Sequence, residues 1–358
     1  MHQIMTDLDI DVEELRQSIR AEYKEVALNP SKGFHFHTGR NLTPLLGYDD
    51  DLLTNVPESA IESFAGTGNP FTLGEIKLGE RVVDVACGAG IDSFIAANKV
   101  GKTGYVIGVD MTSAMVQKAR QALARTDLTN LEFCHGYSED LPVDDEWADV
   151  VILNGALNLM PDKNATLQEM ARVLKPGGRL QLADILVDRA VSLEGKQQIH
   201  LWTGCIAGAL MESELEEAVL NAGFVDFEIT WRDEVFDGAP QASSAANFGT
   251  VGITFRARKP FSFEEWKQAI IAYQETKPAD NAPQPVFEAD AFYDAGDAGC
   301  AMGPIDKIAT LLNDLESGQH LEVRATDSTV PVDLLAWLSI TGHMLVEEQE
   351  SHFLIKRK

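Results

Sequence analysis

The sequence predicts an α/β protein built on a Rossmann-like, seven-stranded, mainly parallel sheet. Three observations carry that expectation. A β-branched run, Arg81-Val82-Val83-Asp84-Val85-Ala86, passes directly into Cys87-Gly88-Ala89-Gly90 and then into a helix over 91–100. A second strand, 104–110, ends in the acid Asp110. Strands and helices then alternate to about residue 260, the pattern of a parallel sheet covered on both faces.

The elements follow in order. Residues 1–75 read as an N-terminal cap outside the sheet. Within it, Val12, Leu15, Ile19, Tyr23 and Val26 form one stripe, which predicts a helix over 12–26. Next comes Gly33-Phe34-His35-Phe36-His37-Thr38-Gly39-Arg40, where alternation puts both imidazoles on one side of an extended strand. The main domain is expected over 76–260, with strands at 81–86, 104–110, 130–135, 148–153, 179–184, 225–230 and 250–257. Helices are expected near 91–100, 112–125, 163–174 and 212–222, and an extra helical segment with His200, Trp202 and Cys205 interrupts 186–211. Leu174-Lys175-Pro176-Gly177-Gly178 is a helix stop and tight turn. A linker is expected over 261–285, proline-rich from Glu275 to Pro285. Beyond it, 286–358 reads as a small α+β domain: strand Val286 to Ala291, helix Ile305 to Leu315, strand His320 to Ala325, helix Pro331 to Ile340 and two final strands.

Composition narrows the class. With 358 residues and 45% hydrophobic content, the chain can bury two cores or more. No apolar run is long enough to span a bilayer, and the first residues lack a basic-then-apolar signal, so no membrane partner and a cytoplasmic location are expected. A net charge of -27 repels phosphate backbones and argues against nucleic acid. The four cysteines, Cys87, Cys134, Cys205 and Cys300, lack metal-ligand spacing, so no metal is expected.

The first turn defines the ligand. Small residues there admit a ligand close to the backbone, and an acid after the second strand accepts from ribose hydroxyls. A dinucleotide fingerprint needs a third glycine where this chain has Ser93, so a nucleoside without a pyrophosphate fits better than a nicotinamide cofactor. S-adenosyl-L-methionine (SAM) is the common one. Gly88 and Gly90 are expected to face its methionine part, Asp84 its amino group, and Asp110 with Met111 its ribose. Ser138 and Glu139 are expected at the adenine, and Asn154 at the methyl group.

Several stretches carry a family resemblance. Gly108 to Thr112, His135 to Leu141, Asn158-Leu159-Met160-Pro161-Asp162-Lys163, Arg172 to Gly178 and Trp202-Thr203-Gly204-Cys205-Ile206-Ala207-Gly208-Ala209-Leu210 resemble class I SAM-dependent methyltransferases, specifically the arsenite methyltransferases. Asn-Leu-x-Pro-Asp-Lys and Trp-x-x-Cys-x-x-Gly-Ala are the informative pieces, because methyltransferases in general lack them. The resemblance implies that fold, SAM as cofactor, and trivalent arsenic held by several cysteine thiolates. Two of those cysteine positions hold Thr67 and Gly155 here, which leaves Cys205. Cys300-Ala301-Met302-Gly303-Pro304, Gly318 to Asp327 and the final Phe353 to Arg357 resemble the TusA-like sulfur carriers, which implies a sulfur-delivery partner acting through Cys300.

Methyl transfer from a sulfonium needs alignment and exclusion of water. Without an obvious strong base, an anionic or soft acceptor is favoured. The expectation is therefore S-methylation of hydrogen sulfide, methanethiol or a small thiol. The alternative is arsenite methylation with an altered cysteine set, and a second is a non-catalytic SAM-binding or sulfur-relay protein. Cys205, His35, His37 and Trp202 are the candidate acceptor-site residues, Trp202 as a lid. The long N-terminal segment and the appended domain are compatible with a homodimer.

Overall fold

The computed structural model describes residues 11–189, 191, 199–204, 206–236, 248–276, 286–287, 289–296, 304–325, 330–349 and 351–358. Contacts divide the chain into two units, Met1–Tyr273 and Gln274–Lys358.

The first unit holds a seven-stranded sheet: β1 (Arg81–Val85), β2 (Tyr105–Asp110), β3 (Leu131–His135), β4 (Ala148–Asn154), β5 (Leu174–Leu186), β6 (Val225–Asp233) and β7 (Val251–Arg258). Their spatial order is β3-β2-β1-β4-β5-β7-β6. β1 through β5 pair in parallel, whereas β7 runs antiparallel between β5 and β6. The sheet is therefore Rossmann-like, as expected, and mixed at one edge. The central strands are buried along most of their length, as Val82, Val83 and Val85 show at 0% exposure, and this is why they read as continuous β-branched runs.

Helices α1 (Val12–Leu28), α2 (Glu58–Ile61), α3 (Ile91–Val100), α4 (Ser113–Leu123), α5 (Lys163–Val173), α6 (Ile199–Thr203), α7 (Glu212–Asn221) and α8 (Phe263–Thr276) complete the order in this part of the chain. Phe94, Ala97, Val100, Val116 and Ala119 from α3 and α4 pack on Val82, Val106 and Ile152. Leu167, Met170, Leu215 and Val219 from α5 and α7 pack on Val83, Val151 and Leu180. Helices on both faces leave the carboxyl ends of the strands as the open edge. The chain runs β1, β2, β3 outward and then returns to β4 beside β1. That reversal opens a crevice at the ends of β1 and β4, the usual place for a ligand in such sheets.

The expected stretch His35–His37 is not a strand. Phe34 and Phe36 stack at 5.9 Å between centroids, and Phe36 is buried, so the aromatic pair rather than a β ladder sets this segment. The expected linker also departs from the reading, because α8 begins at Phe263. Ser262 Oγ accepts from the Glu265 amide at 3.2 Å, and Trp266 Nε1 donates to the Leu220 carbonyl at 2.7 Å. The two units divide inside α8, between Tyr273 and Gln274. Residues 277–285 lie outside the described residues.

The second unit carries a four-stranded sheet in the order β10-β11-β9-β8, made of β8 (Ala291–Gly296), β9 (His320–Ala325), β10 (Met344–Gln349) and β11 (His352–Lys356). Helices α9 (Pro304–Asp314) and α10 (Val330–Thr341) contribute Ile308, Leu312, Leu334 and Leu338 to a core with Leu321, Val323, Phe353 and Ile355. The small α+β expectation thus matches in type. Its first strand is displaced from the expected 286–291. The buried Glu322 carboxylate accepts from the Val286 and Phe287 amides at 2.7 and 2.9 Å, which takes those donors out of any ladder. Cys300 lies outside the described residues.

Candidate active site

The crevice opens into a cavity lined from the ends of β1, β2 and β4, by Asp84, Gly88, Asp110 and Asn154 among others. The first turn forms its floor. Gly88 has φ +55°, and a Cβ there would meet nothing within 4 Å, so its backbone faces open space. Ala86 is held at φ 56°, an unfavourable conformation for a side-chain-bearing residue and a form of strain that collects at functional sites.

Asp110 fixes this turn. One carboxylate oxygen accepts from the Gly88 amide at 2.9 Å and the other from the Thr112 amide at 2.7 Å. Deeper in, Asp84 and Asp92 are both buried. Ser93 Oγ donates to Asp84 at 2.5 Å, and the Tyr48 hydroxyl donates to Asp92 at 2.7 Å. Asn154 Nδ2 lies 3.1 Å from Asp92 and 2.9 Å from the Tyr48 oxygen, while its Oδ1 accepts from the Thr67 amide at 2.9 Å. Burial raises the affinity of these acids for protons. Asp84 is pushed well above the usual carboxylate range by burial and then by the charge of Asp92. Burial pushes Asp92 up to about 6 against the Tyr48 and Asn154 hydrogen bonds, and raises Asp110 against those from Thr112 and Gly88.

Three buried acids around one cavity identify the charge of its ligand. A cation would relieve their mutual repulsion, and a pyrophosphate would worsen it. Arg16 is the one lysine, arginine or histidine among the described lining residues. The open floor at Gly88, the acid at the end of β2 and the acidic depth together fit a nucleoside bearing ammonium and sulfonium groups.

Of the residues expected to hold the cofactor, Asp84, Gly88, Asp110, Met111, Ser138, Glu139 and Asn154 all line this cavity. Gly90 does not. It caps α3 at φ +93°, and a Cβ there would lie 2.5 Å from the Phe133 ring, so helix entry and packing require that glycine.

The expected acceptor residues His35, His37 and Trp202 do not line this cavity. Trp202 is 2% exposed and sits in the core, with Lys163 Nζ 5.1 Å from its ring, not over the cavity as a lid. His35 Nε2 is 3.1 Å from the Thr203 carbonyl oxygen, and its Nδ1 is 3.6 Å from Glu22. His37 lines a smaller, adjoining cavity with Phe36 and Thr67, which shares the walls Tyr23, Ala65 and Gly66 with the larger one. Cys205 lies outside the described residues. The residues that sequence reasoning missed come from the N-terminal cap or pair with it: Arg16 and Tyr48, with Asp92 as the partner of Tyr48. Their contacts span 123 and 44 positions of sequence, and no local pattern signals them.

The fold, the glycine floor and the acidic cluster define a nucleoside-binding α/β domain, and the comparisons give its class. A family model for a methyltransferase domain matches residues 76–223. A solved arsenic(III) S-adenosylmethionine methyltransferase from Chlamydomonas reinhardtii is 32% identical, with a TM-score of 0.52, over 59% of this chain and 72% of that one. The chain belongs to the class I SAM-dependent methyltransferases, and SAM is its cofactor. More particularly, it is similar to curated arsenite methyltransferases. That of Halobacterium salinarum is 39% identical over 217 residues, and that of Mus musculus 34% over 190. The matches cover 60% and 51% of this chain and 55% and 50% of those relatives, so the chain spans about half the length of the curated relatives it matches.

The two informative stretches of the resemblance meet in space. A Cβ on Gly208 would lie 1.9 Å from the Asn158 carbonyl oxygen and 2.3 Å from the Trp202 ring, so only glycine fits between them. Asp184 holds the other side of this junction. Its buried carboxylate accepts from the Leu157 amide at 2.6 Å, the Ile185 amide at 2.7 Å and Asn158 Nδ2 at 2.8 Å. Leu159, Met160 and Pro161 then form cavity wall. Thr67 and Gly155 also meet. Gly155 has φ +72°, and its Cβ would lie 3.0 Å from Thr67 Cγ2.

Proposed function

We infer that this protein transfers the SAM methyl group to trivalent arsenic. The observation that carries the reading is the Asn158–Trp202–Gly208 junction, because it packs the two arsenite methyltransferase-like stretches against each other directly behind the cavity wall that Leu159, Met160 and Pro161 form. The named relatives support the same acceptor.

Bound SAM supplies an electrophilic methyl carbon. The chain's own residues bind and orient. Asp110, which fixes the Gly88 turn, would hold the ribose hydroxyls, Glu139 would take the adenine amine, and Asp84 and Asp92 would attract the cationic end. Asn154 pins the Thr67 and Gly68 amides beside it, at 2.9 and 3.3 Å. No histidine or lysine lies among the described lining residues, and the carboxylates there already accept from Ser93, Tyr48, Ser138, Arg16 and the Gly88 and Thr112 amides, so an acceptor that needs no deprotonation suits the site. Trivalent arsenic would attack through its own lone pair, its As–C bond forming as the S–CH3 bond breaks and the bonding pair leaves with S-adenosylhomocysteine; the arsenic becomes formally pentavalent, and a thiol such as glutathione is the reductant that returns it to the trivalent state. Cys205 is the proposed protein ligand to it.

A second reading rests on Thr67 and Gly155. They touch each other where the resemblance implies cysteines, and neither offers a thiolate. A small thiol or hydrogen sulfide needs no multidentate site, and a sulfur carrier built on the second unit around Cys300 would deliver it.

One incubation series separates the readings. The protein is mixed with methyl-deuterated SAM and either arsenite plus glutathione, or sulfide, and the products are read by arsenic speciation and headspace chromatography. Deuterated methylarsenicals support the first reading. Deuterated methanethiol without methylarsenicals replaces it with the second. Neither product above a boiled control leaves a non-catalytic SAM-binding protein.

A further inference from the structure

One face of α1 forms part of the cofactor cavity. Arg16, Ile19 and Tyr23, spaced three and four residues apart, all line it. This helix lies outside residues 76–223, so the shared methyltransferase domain does not supply it.

The two ends of α1 are held differently. At its carboxyl end the backbone is tied down: Ser63 Oγ donates to the Val26 carbonyl at 2.9 Å, and Lys118 Nζ donates to the Ala27 carbonyl at 3.0 Å. Both carbonyls belong to buried residues. Toward the amino end the polar ties are side-chain ones, to the loop after β3. Arg16 Nη2 meets Glu139 Oε1 at 3.0 Å, and its guanidinium stands 4.9 Å from the Tyr137 ring centroid. Arg20 Nη1 donates to the Tyr137 hydroxyl at 3.0 Å. Leu15 and Ile19 are buried, so the helix is seated in this structure. Arg16 Nε is buried and has no acceptor among the described residues, an unused donor at the cavity wall.

Glu139 is thus shared between the cavity and the helix. One oxygen takes Arg16, and the other lies 2.9 Å from Ser138 Oγ. We propose that α1 is a strap over the cofactor cavity, anchored at Val26–Ala27, and that the Arg16–Glu139 ion pair is the latch that sets the rate of cofactor exchange. The pair is partly exposed, 25% and 13% for the two side chains, so water can compete for it and salt can weaken it. The strap serves any acceptor, so the proposal stands apart from the choice between arsenic and sulfur.

The test is stopped-flow binding of S-adenosylhomocysteine to the full chain, followed by intrinsic fluorescence, in wild type, Arg16→Ala and Arg16→Lys. A latch predicts that association and dissociation both accelerate in Arg16→Ala, by about fivefold or more, with a smaller change in Kd. Arg16→Lys falls between. Raising salt from low to moderate accelerates wild-type exchange and leaves Arg16→Ala unmoved. Faster dissociation with unchanged association makes Arg16 a plain contact and overturns the latch. Rates that match wild type in both variants overturn it too. Should Arg16→Ala unfold, the wild-type salt dependence and Arg16→Lys decide alone: salt-independent exchange in both is refuting.

Discussion

Removing the Asp92 charge sets stability against cofactor binding. Asp92 is buried beside Asp84 and takes hydrogen bonds from Tyr48 and Asn154. Burial raises its folded value to about 6 from 3.8. A group raised in this way stabilises the fold below its unfolded value, and that contribution is lost as pH rises through the folded value. At neutral pH the ionised Asp92 therefore costs up to about 3 kcal/mol, taking ~1.4 kcal/mol per pKa unit. Asp92→Asn removes that cost but loses one acceptor, worth ~1 kcal/mol. The variant should be more stable than wild type by about 2 kcal/mol at pH 8. The advantage should shrink between about pH 6 and 4 and turn slightly negative below, as wild-type Asp92 protonates. Urea unfolding across that range measures it. The same substitution takes a negative charge from the cationic end of the cofactor, so SAM affinity by calorimetry should fall on the order of tenfold at pH 8. A stability difference that does not change with pH would refute the reasoning, as would stability and affinity falling together at pH 8.

Three further substitutions probe the site and its supports. Asp110→Ala removes the acceptor of the Gly88 and Thr112 amides and of the ribose, so S-adenosylhomocysteine affinity should drop about a hundredfold or more in calorimetry, at ~1.5 kcal/mol or more for each charged hydrogen bond; an unchanged Kd would remove Asp110 from the site. Asp184→Ala leaves the Leu157, Asn158 and Ile185 amides without their acceptor and should cost about 3–5 kcal/mol in urea unfolding; a loss under 1 kcal/mol would mean that water replaces the carboxylate. Gly208→Ala drives a methyl into the Asn158 carbonyl and the Trp202 ring, so the melting temperature should fall by several degrees for ~1–3 kcal/mol of overpacking; a wild-type melt would show that the junction yields freely.

The sheet was legible because its central strands are buried on both faces and so appear as unbroken β-branched runs, as at Val82–Val85. The cofactor residues were legible for a related reason. They stand at strand ends, where Asp84, Gly88, Asp110 and Asn154 follow the chain order. Gly90 shows the limit of that reading, since a glycine required for helix entry and one required for ligand approach look alike in sequence. Trp202 shows another. Its motif marks a residue packed under Gly208 in the core, and a sequence motif does not distinguish a cavity lid from a buried wedge. The displaced strand at Ala291–Gly296 was hidden because the cause lies 35 residues away, in the Glu322 carboxylate that takes the Phe287 amide. Helix α8 was obscured by Phe261 and Phe263, which are 71% and 72% exposed and blur its apolar face. Arg16 and Tyr48 were out of reach because their roles exist only once the cap has folded onto the sheet.

The most direct measurement is a calorimetric titration of the full chain, with S-adenosylhomocysteine and NADH compared in parallel. Saturable heat at one equivalent of S-adenosylhomocysteine, with none from NADH, is the predicted outcome. Saturable NADH binding without a response to S-adenosylhomocysteine would contradict the assignment of a cation-seeking nucleoside cavity at Gly88.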